Sequence, residues 1–452
     1  MYFLCNSGAG AKNLATLTLN VTTDEVGTPT LGEFTIKVTT AEVEVDEITY
    51  TSQTQSFVAD GVGSYKFKVL KGADVTVECI GATGFSKPQI QHYHVDRNIT
   101  GNIEFDVVHI YGVEWDKTSR TTFVRTDASA NFPEPSPAIG TGTGSSPFDN
   151  IYPWSGMERV TIDGNEMVKI PKFWVKVTNT SNSFKVQIAD AAVDGFEVSP
   201  MHSNRSDSRG ERDFAYVSRY TVNSSYKSVS GANSVVNMTR ATARSAIAAL
   251  GTNYWQYDYL TLLTIYYLYL VEFANWDSQS IIGRGYVDGN SSQTTTGRTD
   301  SMTYHTGTSG SSRSANAPVQ YRWIENLWEN VRQWVDGITF NSADVWIQKN
   351  PSAFADAASG IKLTAARYTT DGEYITNYAS DNNHSEYIVP SAGGGSESTY
   401  IPDKEWYSTG ICVLVVGGNW SGGSAAGLFY FNGGYSASIS GSSIGARIIY
   451  LP

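Results

Sequence analysis

Hydrophobic and polar residues alternate over the first quarter of the chain. From about residue 15 to residue 108, β-branched and polar residues alternate, as in TLTLNVTT, EFTIKVTT, SYKFKVLKGADVTVECIG and GNIEFDVV. A period of two places successive side chains on opposite faces of a strand, and Gly and Asp punctuate the runs. The pattern therefore predicts an antiparallel β-sandwich of the immunoglobulin-like kind.

The pattern changes beyond a junction near residues 110–114. Residues 131–147 are rich in Pro, Gly, Ser and Thr, which predicts an ordered surface loop or linker. Aromatic residues become dense from Trp154 onward. We therefore expect two domains, residues 1–108 and residues 109–452, in a chain too long for one ordinary core.

Helical patterns occur in the middle of the second domain. Thr239 precedes ATARSAIAAL, which Gly251 closes, and this predicts a short helix with an N-cap and a C-terminal glycine. Asp258 then caps a run of bulky apolar residues through about Phe273. A helix that is apolar on nearly all sides must be buried. With the strands and loops around these helices, the predicted class is α+β.

Composition and charge narrow the function. Charged residues make up 17% of the chain, the formal charge is −12 and the pI is near 5.0. A nucleic-acid binder needs a basic footprint, so this class is disfavoured. Few charges with many Ser, Thr, Gly and Tyr residues suit an extracellular or virion surface.

No membrane insertion or ordinary secretion is expected. The longest apolar stretch, residues 259–276, contains Glu272 and is shorter than the ~20 apolar residues of a membrane span. The N-terminus, MYFLCNSGAGAK, lacks the basic region of a secretory signal. Release inside a phage particle would explain action outside the cell without such a signal.

No cofactor or metal is indicated. Cys5, Cys79 and Cys412 have no CxxC spacing and are expected to be free thiols. His92 and His94 share one strand face, where a structural role is favoured over metal binding in the absence of a third ligand. Asp288 could begin a calcium loop, but the rest of the ligand pattern is missing.

Motifs for catalysis are also missing. The chain has no GxSxG elbow, phosphate loop, HExxH or dinucleotide motif. A Ser/His/Asp arrangement stays open because His202, His305 and His384 have no assigned role. The sequence therefore favours a protein that is not an enzyme.

The C-terminal segment, residues 417–452, differs from the rest of the chain. Between Trp420 and Arg447 it contains no Lys, Glu, Gln, Met, Asp, His or Thr, while ICVLVVGG before it and IGARIIYLP after it read as fixed core. Small polar residues and exposed aromatics on a rigid scaffold are typical of adaptable binding surfaces. A glycine- and serine-rich loop that only closes the fold is the alternative.

The residues around this segment are predicted to form its scaffold. Gly417 and Gly418 would permit positive φ or close backbone approach. Arg447 lies in an apolar strand and would pair with a carboxylate such as Glu325 or Asp336. The predicted scaffold comprises Trp328, Trp334, Gly417, Gly418, Trp420 and Arg447, with Trp323 as a further core residue.

Three segments in order resemble a known family. They are PWSGMERVTIDGNEMVKIPKFWVKV at residues 153–177, RWIENLWENVRQWVDGI at residues 322–338, and GGNW followed by IGAR in the tail. Together they resemble the C-type lectin fold variant shared by formylglycine-generating enzymes and the variable proteins of diversity-generating retroelements. Among these, the chain is most similar to phage tail proteins of the major tropism determinant kind, over residues 110–452.

The resemblance separates an enzyme branch from a binding branch. Formylglycine-generating enzymes use a pair of cysteines after the GGxW-like motif, and that segment here has none. In the retroelement systems, randomised adenines in AAC or AAT codons cannot yield Lys, Glu, Gln, Met or Trp, and none of these lies between Trp420 and Arg447. By likeness to the family, the variable, ligand-facing positions are Ser421, Gly422, Ser424, Tyr430, Asn432, Gly434, Tyr435, Ser436, Ile439, Gly441 and Ser443.

The resemblance implies a phage tail adhesin that recognises a host-cell surface receptor, either glycan or protein. The N-terminal domain would attach to the virion or assist assembly with other tail proteins, and the assembly would be a homotrimer. The expected location is the virion. The alternatives are a bacterial surface adhesin on the same fold and, with less support, a diverged enzyme of the formylglycine-generating type.

Overall fold

The computed structural model describes residues 2–4, 13–24, 30–118 and 122–452. The chain divides into two compact units: Met1–His109 with Ala189–Phe196, and Ile110–Ile188 with Glu197–Pro452. Strands dominate the described residues and helices are few, so the chain belongs to a β-rich α+β class. Cys5 lies outside the described residues.

The described part of the first unit contains two four-stranded sheets and a small hairpin. Their inward faces are apolar, as in Leu14–Thr23, where every second side chain from Ala15 to Val21 is buried. Both sheets contribute to one hydrophobic core. In spatial order the strands are Tyr2–Leu4, Gly63–Leu70, Leu14–Thr23 and Ile99–Phe105 in one sheet; Gln53–Asp60, Glu33–Thr40, Ala73–Ile80 and Gln91–Val95 in the other; and Val43–Val45 with Ile48–Tyr50 in the hairpin.

The predicted antiparallel pairing is wrong at both edges of the first sheet. Ile99–Phe105 runs parallel to Leu14–Thr23, and Tyr2–Leu4 runs parallel to Gly63–Leu70. The chain reaches Ile99–Phe105 from Gln91–Val95, which lies in the other sheet. No hairpin connects Ile99–Phe105 to its neighbour Leu14–Thr23, so the antiparallel direction that a hairpin imposes is not required. Alternation specifies which face is buried but not strand direction.

The segment Ala189–Phe196 belongs to the first unit, although the sequence placed it in the second domain. Backbone N–H of Lys87 donates to the Ala192 carbonyl at 3.1 Å, and that of Gly81 donates to Asp194 Oδ2 at 3.0 Å. These hydrogen bonds join residues more than 100 positions apart, which no local pattern can indicate.

The described part of the second unit is built from four sheets. The largest carries the C-terminal segment beside Arg332–Asn341 and Ile411–Val416. In spatial order its strands are Ile361–Lys362, Asp344–Ile347, Arg332–Asn341, Ile411–Val416, Phe431–Tyr435, Lys404–Trp406, Glu373–Ser380 and Ile388–Gly393, with Ile444–Gly445 beside Arg332–Asn341. The other sheets are Val124–Asp127, Ile110–Asp116, Ser183–Ala189, Trp174–Asn179 and Glu197–Val198; Ala138–Ile139, Gly307–Thr308, Val319–Tyr321 and Ile324–Glu325; and Glu158–Ile162, Asn165–Pro171, Phe214–Ser218, Ile448–Tyr450 and Tyr254–Gln256.

Both predicted helices are confirmed, but Gly251 is not the C′ residue of the first, because that helix ends at Ala248 with Ala249 as its C-cap. Arg240–Ala248 begins after Thr239, whose side chain accepts the backbone N–H of Thr242. Tyr259–Phe273 begins after Asp258, whose side chain accepts the backbone N–H of Thr261, and all its residues are buried. A short helix, Ser278–Ile281, and 3-10 turns at Pro147–Asn150, Trp154–Gly156, Pro200–His202, Pro351–Ala353 and Gly423–Ala425 complete the helical elements of the described ranges.

The predicted loop at residues 131–147 is also confirmed. It is mostly exposed and irregular apart from the two-residue strand Ala138–Ile139. Ser136 and Ser145 exchange backbone hydrogen bonds at 2.7 and 2.9 Å, which orders the loop.

Candidate functional site

The long buried helix Tyr259–Phe273 holds the C-terminal segment through aromatic contacts. The ring of Phe429 lies 4.6 Å from that of Tyr266 and 4.7 Å from that of Trp276, between centroids. The ring of Phe431 lies 6.4 Å from that of Tyr259. Because such rings contribute large buried areas, these contacts fix the middle of the segment in the core.

The predicted scaffold glycines have the conformations expected of them. Gly417 and Gly418 have φ values of 89° and 67°. A Cβ at Gly417 would lie 2.5 Å from the Leu327 carbonyl oxygen, which excludes other residues. The chain therefore turns into the C-terminal segment at a point where only glycine fits.

The four predicted scaffold tryptophans differ in burial. Trp328 and Trp334 are fully buried, and their indole N–H groups donate to the carbonyls of Gly283 at 3.2 Å and Met238 at 3.1 Å. Trp323 and Trp420 are half-buried. Of the four tryptophans, Trp328 and Trp334 thus form part of the core under the segment.

The predicted carboxylate partner of Arg447 is wrong. Its guanidinium is fully buried and donates to Gln333 Oε1 at 2.7 Å and to the main-chain carbonyls of Arg219 at 3.0 Å and Glu325 at 2.5 Å. The Ser218 carbonyl accepts a further bond. Burial lowers the Arg447 pKa to about 10. Strand ends from several segments surround this side chain, so their main-chain carbonyl oxygens take the place of the expected carboxylate.

Tyr430 and Asn432 are more buried than a ligand-facing position suggests. Tyr430 is 1% exposed and Asn432 is 5% exposed. The Tyr430 ring lies under the indole of Trp406, with centroids 4.8 Å apart. The prediction that Tyr430 is an exposed aromatic is wrong. Its neighbour Trp406 comes from another segment, which the local sequence around Tyr430 cannot reveal.

These two residues nevertheless line an open pocket of about 360 Å³. We name it the Tyr430 pocket. It brings together four predicted variable positions and five residues from other segments. Its lining comprises Arg332, Asp371, Trp406, Tyr407, Ser408, Tyr430, Asn432, Gly434 and Tyr435.

Hydrogen bonds organise the floor of the Tyr430 pocket. Arg332 Nε donates to Tyr430 Oη at 3.1 Å, and Arg332 Nη1 donates to Ser443 Oγ at 3.0 Å. Asn432 Nδ2 donates to Tyr430 Oη at 3.3 Å, and its Oδ1 accepts the backbone N–H of Gly434 at 3.1 Å. Arg332 thereby links the middle of the predicted variable region, at Tyr430, to its end, at Ser443.

A buried carboxylate lies directly behind this floor. Glu405 precedes Trp406 in Lys404–Trp406 and pairs with Phe431 across the parallel strands. It is fully buried, and within the described residues neither carboxylate oxygen has a hydrogen-bond partner. Burial raises its pKa to about 8, against the opposing effect of the Arg367 charge. At neutral pH the protonated form predominates.

The remaining predicted variable positions lie outside the Tyr430 pocket, except that Ser443 touches Arg332. Ser421, Ser436 and Ile439 are exposed. Gly422, Ser424, Gly441 and Ser443 are half-buried. Ser424 sits in the turn Gly423–Ala425 and lines a separate cleft. The predicted positions are therefore distributed over two concave sites and an exposed turn.

Sequence reasoning missed the pocket residues Asp371, Trp406 and Tyr407. They come from a stretch to which the sequence assigned no role. Asp371 Oδ1 accepts the backbone N–H of Tyr407 at 3.0 Å, and Arg367 lies over the Tyr407 ring at 4.6 Å. The pair of aromatic residues in KEWY, just before the apolar strand Ile411–Val416, is a sequence signal for Trp406 and Tyr407, whereas Asp371 carries none.

The three histidines without an assigned role have structural partners. His202 is buried between Ser199 Oγ at 2.7 Å and the Ile170 carbonyl at 2.9 Å, and burial lowers its pKa to about 4. His305 lies 2.8 Å from Thr306 Oγ1 and 2.9 Å from Asp149 Oδ1. His384 lies 3.6 Å from Glu386.

The His305 arrangement has the order of a catalytic triad but not its accessibility. Thr306 is 1% exposed, and its oxygen accepts the backbone N–H of Arg322 at 3.0 Å. A nucleophile must reach substrate, and this hydroxyl does not. The chain of contacts holds the loop before Val319–Tyr321 in place.

The described cysteines are buried, and the candidate metal ligands contact other side chains. Cys79 and Cys412 are free and buried, and burial raises both pKa values, that of Cys79 to about 12. Raised thiol pKa values disfavour the reactive thiolate. His94 contacts Asp74 at 2.7 Å and His92 contacts Thr76 at 3.2 Å, and Asp288 binds Arg284. Among the residues described, no three His, Cys, Asp or Glu side chains are grouped to hold a metal.

Within the same described ranges, no helix has both the length and the apolar character needed to cross a membrane.

Comparison with known proteins gives little. No protein-family model matches the chain, and no curated protein matches it. Among solved structures, a Streptococcal ancillary pilin is similar at 7% identity and a TM-score of 0.19, over 47% of this chain and 55% of the pilin chain. The chain thus spans about half the length of that structure.

Proposed function

We propose that the chain is a receptor-binding adhesin of a phage tail. Its second unit would be a C-type lectin-like domain of the formylglycine-generating type, and its first unit an immunoglobulin-like β-sandwich for virion attachment. The observation that carries the proposal is the Tyr430 pocket, where predicted variable positions meet aromatic and charged side chains.

The chemistry of the Tyr430 pocket suits recognition. Trp406, Tyr407 and Tyr435 are half-buried, so part of each side chain is accessible. Arg332 and the exposed Asp371 add opposite charges. Tyr, Trp and Arg are the residues most enriched where single contacts dominate binding energy. A host receptor, glycan or protein, could use both the rings and the charges.

The way the segment is held supports a binding role over a loop that only closes the fold. Phe429, Phe431 and Arg447 are fully buried, whereas Ser436 and Ile439 are exposed. Such an arrangement permits change at the surface without loss of the core. A homotrimer and many tail fibres would add avidity to a weak single site.

Retention of the purified full chain on bacterial cells tests the adhesin. On a strain that retains the wild type, Tyr435→Ala should lower the retained amount about tenfold, because a half-buried aromatic contact is lost. Phe214→Ala is the matched control: it removes a 39%-exposed aromatic outside the pocket. Equal retention of the two variants would rule out the Tyr430 pocket as the receptor site.

Neighbouring DNA tests the diversification separately. A reverse-transcriptase gene and a near-copy of the 3′ end that differs only at template adenines are expected. Finding neither would overturn the retroelement part of the proposal and leave the adhesin part to the retention assay.

A further inference from the structure

A second cleft includes Ser424 of the turn Gly423–Ala425 in its lining. Its volume of about 690 Å³ lies within the range of ~300–1,000 Å³ typical of small-molecule sites. It shares no lining residue with the Tyr430 pocket. We name it the Arg313 cleft; its lining includes Asp277, Gln279, Arg284, Arg313, Glu397 and Ser424.

Arg313 is the feature that points to a ligand. Its side chain is half-buried, and across the described ranges it makes no hydrogen bond or ion pair. Its Nε is buried without an acceptor. Its backbone carbonyl accepts the N–H of Arg284 at 2.7 Å, which holds the residue in the cleft wall. A guanidinium whose buried N–H group lacks an acceptor favours an incoming anion.

The neighbouring arginine shows the contrast. Arg284 Nη2 donates to Asp288 Oδ1 at 2.7 Å, and its Nε lies 3.1 Å from both Asp288 oxygens. Its Nη1 donates to Gln279 Oε1 at 3.1 Å. Arg284 is therefore already neutralised inside the protein, and Arg313 is the cleft's available cation.

Apart from Pro402, the other residues of the lining carry polar side chains, and these include acceptors. Glu397 is exposed and forms no ion pair in the part of the chain that the structure describes. Asp277 uses Oδ1 to accept the Ser280 backbone N–H at 2.9 Å. Four serine hydroxyls line the cleft, and no aromatic ring does: Ser280, Ser314, Ser398 and Ser424. Such side chains can form hydrogen bonds with the hydroxyl groups of a ligand.

We propose that the Arg313 cleft binds a carbohydrate that carries a carboxylate. The ligand's carboxylate pairs with Arg313, and its hydroxyls donate to Asp277 and Glu397. A bare anion would meet the two carboxylates without compensation, and a neutral sugar would leave the guanidinium unpaired. The inference rests on Arg313 and its surroundings and does not depend on the receptor role of the Tyr430 pocket.

Ligand-observed NMR and calorimetric titration of the full chain test this with D-glucuronate, D-glucose and D-glucosamine as probes. Glucuronate should bind with millimolar affinity, and glucose at least about tenfold more weakly. Arg313→Gln should weaken glucuronate binding about tenfold, because a charge-assisted pair is lost. Its thermal midpoint should stay that of the wild type, since the side chain has no protein partner.

Two controls separate this cleft from general charge and from the first site. Arg298→Gln removes the same charge from an exposed arginine outside the cleft and should leave glucuronate binding unchanged. Tyr435→Ala should also leave it unchanged. Equal glucuronate binding by Arg313→Gln and wild type, tighter binding of glucosamine than glucuronate, or no glucuronate binding would each overturn the proposal.

Discussion

Phe429 and Ile439 lie ten positions apart in the same Gly/Ser-rich segment and have opposite environments. Phe429 is fully buried between the long helix and Trp276, whereas Ile439 is 40% exposed in the turn that follows Phe431–Tyr435. Composition does not distinguish them, since each is an apolar residue among glycines and serines. Their difference shows that one part of the segment is packed in the core and another part is exposed to solvent.

Truncation of the fixed part should have the largest effect. Phe429→Ala should lower the free energy of unfolding by ~3–5 kcal/mol because it leaves a cavity against Tyr266 and Trp276. Ile439→Ala should stay within ~0.5 kcal/mol. All eleven tryptophans lie in the second unit, so tryptophan emission during urea unfolding reports on that unit. Similar losses for the two variants would remove the distinction.

Arg447 tests whether the end of the segment is anchored by carbonyl groups. Arg447→Met should lower the free energy of unfolding by about 3 kcal/mol, because the buried carbonyls of Arg219 and Glu325 lose their donor. Arg298→Met, at an exposed arginine, is the matched control. The same urea titration measures both, and a loss no larger than the control's would contradict the anchor.

The pH dependence of Glu405 tests the core behind the Tyr430 pocket. Its folded pKa of about 8 exceeds the unfolded value of about 4.3, so the folded state binds the proton more tightly. The resulting stability is fully present below the unfolded pKa and is lost as pH rises through the folded pKa. Glu405→Gln should therefore gain ~1–3 kcal/mol over wild type near pH 9 and almost nothing near pH 4.

Urea unfolding at several pH values measures this effect. Glu329, also fully buried with a pKa raised to about 8 by burial, keeps its own contribution in the variant. In Glu405→Gln, the free energy of unfolding should therefore fall less steeply with rising pH than in the wild type, but it should still fall. A variant with the wild-type slope would show that Glu405 is not protonated in the folded state.

Glycines within the segment should give the smallest effects and refine its boundary. A Cβ at Gly434 would lie 3.2 Å from the backbone of Tyr407, whereas at Gly441 the nearest atoms, from Ile444, are 3.6 Å away. Gly434→Ala should destabilise by ~1 kcal/mol and Gly441→Ala by less than ~0.5 kcal/mol. Thermal midpoints of the two variants suffice. A larger destabilisation by Gly441→Ala than by Gly434→Ala would show that the segment tolerates substitution less well near Gly441 than near Gly434.

Much of the fold follows from local pattern. Asp258 and the apolar run behind it define the helix Tyr259–Phe273, and the alternation in Leu14–Thr23 defines a strand with one buried face. Gly417 and Gly418 were also predictable, because a positive φ between two rigid strands calls for glycine. Each of these predictions depends on neighbours within a few positions.

What failed depends on distant segments. The burial of Tyr430 comes from Trp406, and the acceptors of Arg447 come from Arg219 and Glu325, up to 228 positions away. The parallel strand at Ile99–Phe105 follows from a crossing between sheets. The Tyr430 pocket itself needed Asp371 and Tyr407, which carry no motif.

The most direct test exchanges residues 421–443 between this chain and a natural variant chosen because it keeps Phe429 and Phe431 and differs at exposed positions. Because the buried rings are retained, each chimera should unfold at the urea concentration of its parent. We predict that cell-binding specificity, measured by retention on strains that discriminate the parents, transfers with the exchanged segment. Specificity that remains with the rest of the chain would contradict the central claim that this segment selects the receptor.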